Sequence, residues 1–428
     1  MPPDPPLNPA AAFRGHGLTV RRWPALILAA VIALLPGATP RDTAPSDTDA
    51  IGQTNRDLKA SRVETSTVVP PDVRHLLTSL KHKLRDMILD TLNTPGRENR
   101  TPREFNLALK ARIPRQDQQT DDSEKAEAYP YGGIARIEVL RPQGHRALLV
   151  ATTTVGIECG GDTSLYIFRR AEKRWKLTLA LESNDYEYIS GAQDVFRYAI
   201  SPPDRQGDFF VVAAEVPPWC TSNWRTIRFR VLRVGPRPYE PKVILSETQD
   251  AYLGGDPAVY SLKVERDGFS LYWHSGHRFD GMLSRLRVVR YRIDGNRAIR
   301  VPPISLRPED FLDEWVKLPW ASASTWSLRS AGPNLQPWHE RLNRALEQNC
   351  CFSTVSFVQS CGEAADKWQV GIRIDPKRIH DQFPEELFFT ITRKAQVFSM
   401  QDIAEKRPPG CPGESRPVYE HERGWKLP

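Results

Sequence analysis

Between Ile134 and Val301 apolar and polar positions alternate in short runs, and the runs themselves recur. Ala135, Ile137 and Val139 alternate with Arg136 and Glu138, the period of a half-buried strand. A turn with Pro142 and Gly144 leads to the apolar stretch Ala147 to Thr152, then a longer connection, Val155 to Thr163. Leu165 to Phe168 and the alternating Trp175, Leu177, Leu179 and Leu181 complete a four-strand unit. The same order returns from Phe196 to Leu245 and from Tyr260 to Val301, where Asp267-Gly268 and Asp294-Gly295 are hairpin turns that tolerate positive φ. Second strands align at Val150, Val211 and Tyr272, a period of 61 residues.

A fixed period predicts an array of small sheets, because one twisted sheet covers only one of its faces and neighbours cover the other. The expected fold is mainly β: a propeller-like array of four-stranded antiparallel sheets with added helices. The alternative is one β-meander domain followed by a C-terminal α+β domain.

The flanks change period. Val73, Leu77, Leu80, Leu84, Ile88 and Leu92 fall on one helical face. Thr101 with Glu104 forms a capping box, with Pro102 in the first turn. After Val301, Phe311, Leu312, Trp315 and Val316 mark one helix, and Leu335, Trp338, Leu342 and Leu346 another. Strand patterns return from Phe352 to Met400 as a fourth sheet, closing a ring or standing as a separate domain. The organisation is 1–38 export signal or anchor, 39–70 flexible linker, 71–128 helices and acidic linker, 129–304 repeats, 305–405 helices and fourth sheet, 406–428 surface tail.

The start of the chain narrows its location. Arg21-Arg22 precede an uncharged apolar run, Ala25 to Leu35, broken by Pro36-Gly37. That is a secretory pattern, shorter than the roughly 20 residues of a membrane span. A cleaved signal and a retained anchor are both open, so the expected location is periplasmic or extracellular, with a membrane contact only through this run. The net charge of +7 and pI of about 9.1 come from scattered Lys and Arg, and no nucleic-acid partner is expected. All six cysteines follow the apolar run, which in an exported chain points to disulfides. Cys159 and Cys220 occupy matching connections 61 residues apart, so they are expected to pair, with Cys361–Cys411 the favoured second bond. No zinc-type spacing is present, and no metal or other cofactor is expected.

The connections between second and third strands gather Glu158, Asp162, Trp219, Asn223, Trp224, His274, His277, Arg278 and Asp280. Repeat proteins collect their insertions on one face. Acids, aromatics and histidines together offer a site for a glycan or peptide. Two suitably separated carboxylates hydrolyse glycosides, although Glu158 and Asp162 read equally well as turn residues. No GxSxG, HExxH, phosphate loop or Rossmann glycine run occurs, and no catalytic residue is assigned.

Three short motifs carry a resemblance: Cys159-Gly160-Gly161-Asp162, the run Pro218 to Trp224, and Arg307-Pro308-Glu309-Asp310-Phe311-Leu312-Asp313-Glu314-Trp315. In these the chain resembles a group of uncharacterised exported bacterial proteins, over roughly Tyr131 to Pro412. The resemblance implies an envelope or secreted location and brings no activity. The expectation is an exported binding or scaffold module. A secreted glycan or peptide hydrolase and an envelope-tethered structural protein are the alternatives.

Overall fold

The computed structural model describes residues 47–61, 68–96, 100–113, 131–218, 220, 222–235, 241–252, 260–280, 284–348, 353–361, 366–378, 383–409, 411 and 415–416. Three helices come first: α1 (Asp47–Ala60), α2 (Pro71–Leu92) and α3 (Pro102–Arg112). The apolar stripe of α2 is buried, and α3 opens on the expected capping box, with the Thr101 N–H 2.7 Å from the Glu104 carboxylate. Helix α1 lies inside the stretch read as a flexible linker. Its sequence offers two core residues, Ile51 and Leu58, seven positions apart and so on one helical face.

Four antiparallel sheets follow. The first holds β1 (Ile134–Leu140), β2 (Leu148–Ile157), β3 (Gly160–Ala171) and β4 (Arg174–Leu181) in sequence order. The second holds β5 (Val195–Ile200), β6 (Phe209–Val216), β7 (Trp224–Val234) and β8 (Lys242–Tyr252). The third holds β9 (Tyr260–Val264), β10 (Gly268–Gly276), β11 (Ser284–Asp294) and β12 (Arg297–Arg300). Helices α4 (Pro308–Lys317), α5 (Trp320–Ala323) and α6 (Gly332–Gln348) intervene. The last sheet holds β13 (Ser353–Ser360), β14 (Lys367–Ile374), β15 (Glu386–Lys394) and β16 (Val397–Ala404), with the two-residue β17 (Ser415–Arg416) added beside β13.

Strand alternation divides the core into layers. Leu149, Ala151, Val155 and Ile157 of β2 pack with α2 and α3, while Leu148 and Val150 face the second sheet. In β6, Phe209, Val211 and Ala213 turn toward the first sheet; Phe210, Val212 and Ala214 turn toward the third. Central strands buried on both faces read as continuous apolar runs, as both of these do.

The sheets do not close on one another, so the propeller-like ring expected from the spacing is not formed. Helices α2 and α3 cover the outer face of the first sheet, leaving no apolar face for a fourth blade. The fourth sheet packs instead with α4 and α6: Phe311, Leu312, Trp315 and Leu342 join Val370, Ile372 and Phe389 in one core. Among the described residues no core cluster joins the first sheet to the fourth. The single-meander alternative fails too, since the repeats are separate sheets rather than one.

Candidate functional site

The β2–β3 turn is two residues long, Glu158 and Cys159, with Ile157 paired to Gly160 and Cys159 at φ 63°. The disulfide Cys159–Cys220, Cα atoms 5.0 Å apart, ties this turn to the connection between β6 and β7. The matching-connection argument therefore holds, and so does Cys361–Cys411; Cys350 and Cys351 lie outside the described residues. Gly160 is required by close approach: a Cβ there would stand 2.6 Å from the Asp194 carboxyl. That carboxylate accepts the Gly161 N–H at 2.8 Å. Burial pushes Asp194 upward, and the Gly161 bond opposes it.

Asp162 is fully buried and accepts Lys81 Nζ of α2 at 2.6 Å. Lys81 also donates to the Ser183 carbonyl and lies 5.2 Å from the centre of the Tyr186 ring. Nearby Glu215, also pushed up by burial, is held by Arg228 at 2.8 Å. Tyr186, whose ring Lys81 faces, also lines a small cleft with Val69, Leu77, Ile157, Glu158 and Tyr131, among others. Burial, reinforced by Glu158, raises the Tyr131 phenol to about 12, and burial raises Tyr186 well above its ordinary value. Both phenols are neutral hydrogen-bond donors at physiological pH. Glu158 stands with the two sulfurs of Cys159 and Cys220 in a cluster of ligand-like atoms. Those sulfurs are bonded to each other, so they are not the thiolates a metal takes.

Trp224 is half exposed and leans on Tyr252, ring centres 4.7 Å apart. Its ring covers Gly276, where a Cβ would meet it at 2.8 Å. The start of β7 is thus laid against the end of β10. Asn223 beside it is exposed, His274 is half-buried in β10, and Trp219 lies outside the described residues.

The rest of the third connection faces inward. His277 is buried, its Nε2 3.4 Å from the Glu309 carbonyl and its Nδ1 3.7 Å from Asp313. The Arg278 N–H donates to Asp313 at 2.5 Å, and Asp280, fully buried, accepts the Val355 N–H of β13 at 3.2 Å. These contacts belong to a network that sequence reasoning missed. Arg285 stands 2.8 Å from the Asp313 carboxylate and donates to Glu314 at 2.9 Å, and Arg300 reaches Glu314 at 2.6 Å. Arg285 holds both carboxylates below their ordinary range against the effect of burial. Asp310, whose burial dominates, is pushed up to about 8 despite Arg307. Arg287 is lowered to about 10 by burial and by Arg285. A signal was present: Asp310, Asp313 and Glu314 are spaced i, i+3, i+4, one stripe of α4.

No protein-family model matches the chain, and no curated protein matches it.

Proposed function

We propose that this is an envelope-tethered structural protein: an exported, stiff row of sheets anchored through the apolar run 25–35. The observation that carries this reading is that turns, strand ends and the third connection fasten neighbouring units together. Cys159–Cys220 joins the first to the second, Trp224 on Gly276 joins the second to the third, and Asp280 with Val355 joins the third to the fourth. Asp162 and Asp280, acids proposed for a ligand face, are spent on internal contacts. The cleft at Glu158 has only about 10 Å³ open to a water-sized molecule, room for about one water. Two disulfides fit an oxidising compartment.

Cell fractionation tests the reading. The full chain is expected in the detergent-extracted membrane fraction, and a variant lacking residues 1–38 in the soluble one. A glycan or peptide hydrolysed by the full chain, but not by a folded E158Q variant, would replace the structural reading with the hydrolase.

A further inference from the structure

We propose that the end of the first sheet opposite the Cys159–Cys220 disulfide is a docking surface for an anionic lipid bilayer. Two connections meet there. The β1–β2 connection and the β3–β4 turn lie side by side, with the Arg170 N–H donating to the Ala147 carbonyl at 2.9 Å. They bring together Arg141, Arg146, Arg169, Lys173, Arg174 and Lys176, and Glu172 is the sole acid of the two stretches 141–147 and 169–176. All of the six but Arg169 are exposed. Among the described residues none of those five makes an ion pair.

Elsewhere several arginines stand beside acids: Arg228 with Glu215, Arg233 with Asp204 and Asp208, Arg285 with Asp313. Here Arg169 is paired directly across the sheet with Lys176. Like charges in that position are destabilising. Asp208, the acid whose charge Arg169 senses, is already engaged by Arg233. A concentration of cation without internal neutralisation calls for an external polyanion.

The path of the chain selects which one. Helix α2 starts at the disulfide end, where Thr78 accepts the Asp185 N–H, and finishes at the basic end, where Asn93 exchanges hydrogen bonds with Trp175. Helix α1 runs back against it. Lys83 reaches Ala50 and Thr54, whereas Leu58 sits against Gly132, which is bonded to Gly156 near the disulfide end. The first turn of α1 therefore points toward the basic end, and the upstream chain joins there. Residues 36–46, between the apolar run and α1, span at most about 40 Å when extended. A run anchored in a bilayer and a basic face at the point of entry fit one surface. The choice of a bilayer over another polyanion rests on the tethered reading above.

The test is co-sedimentation of the full chain with vesicles of neutral phosphatidylcholine, and of phosphatidylcholine containing phosphatidylglycerol. The neutral vesicles report the apolar run alone. Each basic group near an anionic surface contributes roughly five-fold in partition. With five exposed groups, the anionic vesicles are expected to be favoured on the order of a thousand-fold near 0.1 M salt, with the preference collapsing near 1 M salt as screening shortens. K173A/R174A/K176A is expected to lose most of the preference while binding neutral vesicles unchanged. R141Q/R146Q on the neighbouring connection gives a second reading should the triple variant misfold. Failure to bind neutral vesicles with the anionic preference intact would remove the tether and leave the docking surface standing. Equal partition to both vesicles, an anionic preference that survives both variants, or tighter binding to duplex DNA than to anionic vesicles would overturn the proposal.

Discussion

Lys81 and Asp162 are taken out of water together, and neither tolerates the loss of the other. Lys81 is 1% and Asp162 0% exposed, so removing one partner leaves an uncompensated buried charge, worth about 3–5 kcal/mol. K81M is expected to lower the unfolding free energy by that amount in urea titrations, and K81M/D162N to regain much of it. Equal destabilisation in the single and double variants would contradict the pairing. Asp310 gives a second expectation, in pH. Its folded pKa of about 8 exceeds the ordinary unfolded value near 3.9. The folded state therefore holds a proton that the unfolded chain releases. The contribution of this group is fully present below about pH 4 and is lost as pH rises toward 8. D310N is expected to be less pH-sensitive across that window, gaining on the native protein by no more than about 1.4 kcal/mol per pH unit. Parallel stability curves for the two proteins would refute this. Glu314, held low by Arg285, acts in the opposite sense and loses stability only as the solution becomes acidic.

At the scale of the element, connections and helix faces decide how units meet. G276A is expected to destabilise by about 1–3 kcal/mol, because the new methyl runs into the Trp224 ring. Adding W224A should relieve most of that penalty, so the two substitutions are expected to be strongly non-additive in a double-mutant cycle. Additive effects would mean that the start of β7 and the end of β10 do not touch. The strands were legible from alternation at the edges, as in β1, and from short apolar runs at the centre, where β2 and β6 divide residue by residue between two core layers. Helices α2 and α3 were legible from their apolar spacing and the Thr101–Glu104 box. Helix α1 was not, because Ile51 and Leu58 are too few apolar anchors to show against its polar residues. The candidate site was legible only as position. His277 and Asp280 stand in the expected connection and Asp162 in strand β3 beside its turn, but their internal partners Asp313, the Val355 N–H and Lys81 come from distant parts of the chain.

For the whole molecule, the 61-residue period established repetition but not closure. Closure depends on what covers the outer faces, and here α2 and α3 cap the first sheet while α4 and α6 supply the core of the fourth. A row without closure relies on its fasteners. The Cys159–Cys220 bond closes a segment of 61 residues, for which chain entropy gives about 4 kcal/mol. C159A/C220A is expected to fall in stability by about 2–4 kcal/mol. The central claim is that consecutive units stand side by side with matching connections in contact, and non-reducing peptide mapping of the native protein tests it most directly. The account requires one cross-linked peptide pair containing Cys159 with Cys220 and another containing Cys361 with Cys411. Recovery of Cys159 bonded to Cys350, Cys351 or Cys411 would contradict it.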